Sequence, residues 1–324
     1  MGSLGQGFSV PLIDISPFLS STSSPESREH VIQEVRSACQ QLGFFELVGH
    51  GIPVALQREV LLCAERLFNL PLEQKQAMSM SKSPGLSKRG YEAIGGQVLD
   101  KKPDSKEGFY IGVEIPPDDS RCGEFSMGPN FWPEALSDED FREPVMRYHA
   151  EGLRVHEILL RIMAMALPYG DDVFDALMTD PVANIKLLHY PPNPASSAGE
   201  APYIAAGTHT DFGSITILLQ QPNHHGLEAL HPSTKTWIPI LAQEDVLIVN
   251  IGDLLLKWTK GIFKSPLHRA INVSPHHRYS VPFFYHGNLR TRLSPLDGSG
   301  YGTEETAGEH IAGKLLRSFG DIKD

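Results

Sequence analysis

From about Ile185 onward the chain is written in short β-branched runs broken by Gly, Pro and Asn, and no long helical period returns before Glu304 to Phe319. Strands recurring at roughly ten-residue spacing with turns between them pack as a sandwich or jelly roll. A βαβ sheet would need helix-length patterns between the strands, and these are missing. The first half reads differently. Ser24 caps a helix with Pro25 in its first turn, and Val31, Val35, Cys39 and Leu42 recur at helical spacing until Gly43. A second helix carries Val60, Leu61, Ala64, Leu67 and Phe68 on one face. Ser137, followed by Asp138, Glu139 and Asp140, starts the longest helical pattern, which runs to Leu167. These patterns predict a mainly β protein with flanking helices, in which a helix-rich region 1–180 packs against a jelly-roll core over 181–324.

Composition narrows the partners. A net charge of −11 would repel nucleic acid and anionic membrane, which leaves a small-molecule partner. Cys39, Cys63 and Cys122 are odd in number and lack CxxC spacing, so they read as free thiols of a reducing compartment. The apolar runs at Ile158 to Leu167 and Val246 to Leu256 are interrupted by Arg161 and Asp253, and the N-terminus has no leader-like pattern. The expectation is a cytoplasmic protein without a membrane span.

Within the β-rich half, Gly207-Thr208-His209-Thr210-Asp211-Phe212-Gly213 precedes the apolar run Ser214 to Gln220. On an extended segment His209 and Asp211 project to the same side. An imidazole beside a carboxylate is two thirds of the 2-His-1-carboxylate set that leaves positions on ferrous iron open. For the second imidazole, His268 stands out because Ser265 to Ile271 again has strand character. His225, His231 and His276 remain alternatives, although the pairs His224-His225 and His276-His277 sit among turn residues. Further on, Arg278 and Ser280 share a strand face in an aromatic and apolar segment. An inward guanidinium there needs an anionic partner, and a guanidinium fork beside a hydroxyl suits a carboxylate.

The order of these pieces resembles the iron(II)- and 2-oxoglutarate-dependent dioxygenases of the isopenicillin-N-synthase-like group, and in style its fungal members. The likeness spans Val10 to Asp14, Gly43-Phe44-Phe45 with His50-Gly51-Ile52-Pro53, Leu70-Pro71, Arg89-Gly90-Tyr91, His189-Tyr190-Pro191-Pro192, His209 to Gly213, Val249 to Asp253, His268-Arg269 and Arg278-Tyr279-Ser280. The resemblance implies a double-stranded β-helix core, with His209, Asp211 and His268 as iron ligands and catalytic centre. It also implies that Arg278 and Ser280, helped by Tyr190, hold the distal carboxylate of 2-oxoglutarate, and that dioxygen and this cosubstrate are consumed as a C–H bond of a small organic molecule is oxidised by hydroxylation, desaturation or cyclisation. Many relatives carry Asn two residues before the tyrosine where this chain has Leu188. Leu188, Phe212, Phe283 and Phe284 are expected to form an apolar substrate wall suited to a specialised metabolite. Two other functions fit the same scaffold: an iron oxidase that uses no 2-oxoglutarate, and a non-catalytic small-molecule binding protein. The first would not consume 2-oxoglutarate, and the second would typically lack a ligand or the arginine.

Overall fold

In a computed structural model, residues 10–100, 102–192, 203–272, 275–299 and 305–320 are described. Twelve strands are found there: β1 (Leu12–Asp14), β2 (Phe44–Val48), β3 (Gly90–Glu92), β4 (Glu107–Gly112), β5 (Val182–Tyr190), β6 (Tyr203–His209), β7 (Ile215–Gln220), β8 (Leu227–Leu230), β9 (Trp237–Ile240), β10 (Leu247–Ile251), β11 (His268–Asn272) and β12 (Arg278–Gly287). The helices are α1 (Ser16–Leu19), α2 (Pro25–Gln41), α3 (Val54–Phe68), α4 (Leu72–Ala77), α5 (Glu143–Met165), α6 (Asp175–Met178), α7 (Asp253–Trp258) and α8 (Ala307–Ser318).

The strands form an eight-stranded sheet ordered β1-β2-β10-β7-β12-β5-β4-β3 and a four-stranded sheet ordered β6-β11-β8-β9. Together they make the double-stranded β-helix core of a mainly β protein with flanking helices. Four strands of the large sheet, β1 to β4, come from the first 112 residues and occupy both of its ends, so the N-terminal region is woven into the sheet as well as packed against it.

The helices begin and end for local reasons. The Ser24 side chain accepts the amide of Ser27 at the start of α2, and Gly43 ends that segment at φ +72°, where a Cβ would run into the Lys264 carbonyl. The expected long helix has a π-helical first turn over Asp138–Arg142, capped by Ser137, before regular α5 begins. Packing of α5 against the outer face of the large sheet depends on Gly152, since a Cβ there would strike the ring of Phe283. His149 and His156 flank the same ring at 4.9 and 4.7 Å between centroids. No described helix is long and apolar enough to cross a membrane. The expected start of the last helix at Glu304 lies outside the described residues, and within them α8 starts at a capping box of Thr306 and Glu309.

Candidate metal centre and cosubstrate site

A cavity lies between the inner faces of the two sheets, and strand parity decides what lines it. On β5 the inward residues are Asn184, Lys186, Leu188 and Tyr190; on β12 they are Arg278, Ser280, Pro282, Phe284 and His286. The alternation leaves Phe283 on the opposite face, fully buried in the core under α5. The expected wall is therefore corrected at that position: Leu188, Phe212 and Phe284 line the cavity, while Phe283 holds a helix to the sheet.

His209 at the end of β6 and His268 at the start of β11 are register partners across an antiparallel pair. Their rings lie 4.3 Å apart, and both Nε2 atoms stand near the same Asp211 Oδ1, at 3.7 and 3.6 Å. The ring orientations follow from the backbone. His209 Nδ1 lies 2.7 Å from the Gly207 carbonyl oxygen, and His268 Nδ1 lies 3.2 Å from that of Pro266. A carbonyl can only accept, so each Nδ1 carries the proton and each Nε2 turns a lone pair to the shared centre. Asp211 keeps Oδ1 free in the same way, because its Oδ2 accepts from Thr216 Oγ1 at 2.5 Å and Asn250 Nδ2 at 2.7 Å.

Electrostatics suit a cation at this point. Burial, with the neighbouring His268, lowers the His209 imidazole to about 3, so it stays neutral and able to coordinate. Burial pushes the Asp211 carboxyl up, but His268, His209, Asn250 and Thr216 outweigh it and keep the group below its ordinary value. Two imidazoles and one carboxylate, with donor atoms within 4.8 Å of one another, are the only such metal-holding group of three among the described residues. This donor set fits non-haem iron(II) with open coordination positions. The alternative histidines are engaged elsewhere: His225 Nδ1 accepts the Ala242 amide, and His231 Nδ1 accepts those of Ser233 and Thr234.

Along β12 from this centre, Arg278 is 3 % exposed. Its Nε donates to the His224 carbonyl and its Nη2 to Gln220 Oε1, each at 3.1 Å. The guanidinium carbon lies 4.5 Å from the centre of the Tyr190 ring, which is the register partner of Arg278 on β5. The remaining Nη1 is buried and has no hydrogen-bond partner among the described residues. A buried guanidinium donor left open toward a cavity is costly unless an acceptor arrives, and a carboxylate would satisfy it. Ser280, one inward position along the strand, is 1 % exposed and lines the same cavity.

Helix α8 forms part of the cavity wall, with Ile311 and Leu315 among its lining residues. Lys314 pairs with Asp253 and lies 5.6 Å over the Phe212 ring, next to the metal-side Asp211. At its other end Ser318 receives Gln97 Nε2 at 3.1 Å. Residues that sequence reasoning passed over also face the cavity, among them Lys106, Lys186 and Asn250. Lys186 could have been found by the parity that places Leu188, two residues away on one strand.

Comparison with known proteins agrees with this geometry. A model of the non-haem dioxygenase N-terminal region, described from morphine synthesis, matches residues 10–135, and the 2OG-Fe(II) oxygenase superfamily model matches 181–287. The chain is 44% identical over 318 residues to the 2-oxoglutarate-dependent dioxygenase tropC of Talaromyces stipitatus, covering 96% of both chains. It is 40% identical over 332 residues to clavatol oxidase claD of Penicillium crustosum, covering 96% and 97%. Among solved structures, a full-length Neurospora crassa protein in complex with alpha-KG and thymine superposes with a TM-score of 0.81 at 25% identity, over 97% of this chain and 98% of that one.

Proposed function

The chain belongs to the iron(II)- and 2-oxoglutarate-dependent oxygenases, and from that premise we propose that His209, Asp211 and His268 hold the iron while Arg278, Ser280 and Tyr190 seat 2-oxoglutarate. The protein is an enzyme whose cosubstrates are 2-oxoglutarate and dioxygen; the oxidase without 2-oxoglutarate and the non-catalytic binding protein give way to it. Its substrate, in this reading, is a small organic molecule oxidised at a C–H bond.

Bound at this set, iron(II) supplies the redox chemistry that couples dioxygen and 2-oxoglutarate consumption to oxidation of the substrate. The polypeptide supplies position and exclusion. His209, Asp211 and His268 would hold the metal, and the Nδ1 anchors and the Thr216 and Asn250 bonds keep those donors from turning away. Arg278 offers its Nη1 to a carboxylate, with Gln220, the His224 carbonyl and the Tyr190 ring fixing the direction of the guanidinium. Leu188, Phe212, Ile311 and Leu315 line the cavity with apolar surface that keeps water from the reacting carbon.

The observation that carries the cosubstrate assignment is the open Nη1 of Arg278. Replacing the arginine by methionine keeps length and removes the charge. Since breaking a buried charge pair costs on the order of 3 to 5 kcal/mol, Arg278→Met should weaken 2-oxoglutarate binding by roughly two to three and a half orders of magnitude and leave iron binding in place. An anaerobic titration of 2-oxoglutarate into the iron(II) protein, followed by the metal-to-ligand charge-transfer band, measures this. Equal affinity in wild type and variant would remove Arg278 from the role.

A further inference from the structure

The cavity is electrically one-sided. Lys88, Lys106, Lys186, Arg269 and Arg278 contribute to its lining, whereas Asp211 is the one carboxylate among those lining residues, in a protein of net charge −11. Arg278 is taken by the cosubstrate in the reading above, and Arg269 is held by Glu228 at 2.7 Å and stacked 4.0 Å from Trp237. Lys88 lies 5.5 Å from the centre of the Phe319 ring, just beyond α8. Lys106 and Lys186 remain. Their side chains are 4 % and 3 % exposed, which is rare for lysine and needs a cause.

Each ammonium has its own carboxylate. Lys106 Nζ is 2.5 Å from Asp104 Oδ2, and Lys186 Nζ is 2.6 Å from Glu92 Oε2. Neither Asp104 nor Glu92 is among the residues lining the cavity, whereas both lysines are; Glu92 stands beside Lys186 on the same sheet face, across Gly108 of β4. The two cations are tied together by Gln97, whose Oε1 accepts from both at 3.2 Å. Lys186 is further held 4.4 Å from the centre of the Tyr110 ring. An ammonium has three N–H donors. Lys106 spends two of them on Asp104 and Gln97, which leaves the third for an acceptor in the cavity.

The placement is fixed by the fold. Lys186 and Leu188 are consecutive inward residues of β5, and Lys106 directly precedes β4, the strand paired with β5. Asp104 also accepts the Gly207 amide at 3.0 Å through its other oxygen, which ties this wall to the strand carrying His209. The cations are thus built into the same rigid frame as the metal centre, at a different part of the cavity from Arg278.

We propose that Lys106 and Lys186, coupled through Gln97, form the substrate-recognising end of the cavity and select an organic anion: an apolar body bearing a carboxylate or an ionised phenolic or enolic oxygen. The anionic oxygen lies against the ammonium groups, and the apolar body packs on Leu188, Phe212 and Phe284, bringing its oxidisable carbon to the metal side. The proposal rests on the functional reading above, because it assigns Arg278 to 2-oxoglutarate and leaves the lysines to the substrate.

The test uses matched probes on the anaerobic iron(II) protein saturated with 2-oxoglutarate, with binding read by calorimetry and by perturbation of the charge-transfer band. One arm compares 4-hydroxybenzoate with 4-hydroxybenzamide; the other compares 4-nitrophenolate with 4-nitroanisole. Charge-assisted hydrogen bonds predict that at least one anion binds wild type about tenfold or more tightly than its neutral partner, and the arm that shows it identifies the oxygen class. Lys186→Gln and Lys106→Gln should shrink that preference to about twofold or less, with 2-oxoglutarate affinity retained. Because either change strands a buried carboxylate, the paired variants Lys186→Gln/Glu92→Gln and Lys106→Gln/Asp104→Asn remove both charges together and should show the same loss. A wild type with no preference in either arm, or variants that keep it, overturns the proposal. Absence of the charge-transfer band from wild type would instead overturn the cosubstrate reading.

Discussion

At the scale of single residues, the metal-side aspartate shows how much of a site is made by residues that touch no ligand. Asp211 can present Oδ1 to the two imidazoles because Thr216 and Asn250 occupy Oδ2. Removing such an outer partner typically weakens metal affinity by about 10- to 100-fold. Asn250→Ala is therefore expected to lower iron(II) affinity by that range in competition against a chromophoric chelator, with the fold unchanged by circular dichroism. Affinity equal to wild type would mean that Thr216 alone orients the carboxylate. Arg278 and Ser280 were legible in the sequence because their spacing of two puts them on one face of β12, and the same spacing in His209 and Asp211 signalled the pair although Asp211 lies just past the end of β6. The same rule separates Phe284 from Phe283, and assigning both to the wall overlooked it. Lys106 was beyond local reasoning, since its position depends on β4 lying beside β5, a pairing between segments far apart in sequence.

At the scale of elements, α8 ties the C-terminal end of the described chain to the cavity, with Ala307 and Ile311 buried in the core and Leu315 lining the cavity. Its apolar periodicity and the Thr306–Glu309 capping box make a helix evident from sequence. That it lines the cavity is a tertiary fact with no local sign. One anchor is the partly exposed Lys314, which reaches Asp253, a residue also receiving Thr210 Oγ1 and Ser265 Oγ. A pair of this exposure contributes on the order of 1 kcal/mol or less. Lys314→Met should accordingly speed amide hydrogen exchange across α8 by up to about fivefold while the strands of the large sheet exchange as before. If α8 exchange does not change, Ile311 and Leu315 are sufficient to dock the helix.

At the scale of the whole molecule, acid is the condition to which this fold should be most sensitive. Burial lowers His149 to about 4 and His156 to about 3, and both pack where α5 meets Phe283 of the large sheet. An unfolded histidine takes its proton near pH 6.5, so between that pH and the folded values the unfolded state binds more protons. Stability is then fully present above about pH 6.5 and falls as the pH drops toward 4, by roughly 3 kcal/mol per histidine at pH 4. Urea denaturation of metal-free protein at pH 7 and pH 4.5 measures the difference, and His156→Phe should flatten the slope if the variant packs as tightly; equal stability at the two pH values would contradict the assignment. The jelly-roll half of this architecture could be read from its turn spacing. The entry of β1 to β4 into the large sheet could not, because short strands at sheet ends are specified by distant partners. The small sheet has its own consequence. Among the described residues strand β6 has a single strand neighbour, β11; on its other side its Gly207 amide donates to Asp104 Oδ1 and its Ala205 carbonyl accepts the Ser105 amide. His209 and His268 face each other across that one pairing, so an ion bridging them would also be a clasp on the sheet's terminal strand, and the atom that performs the oxidation would double as a fastener of the wall around it.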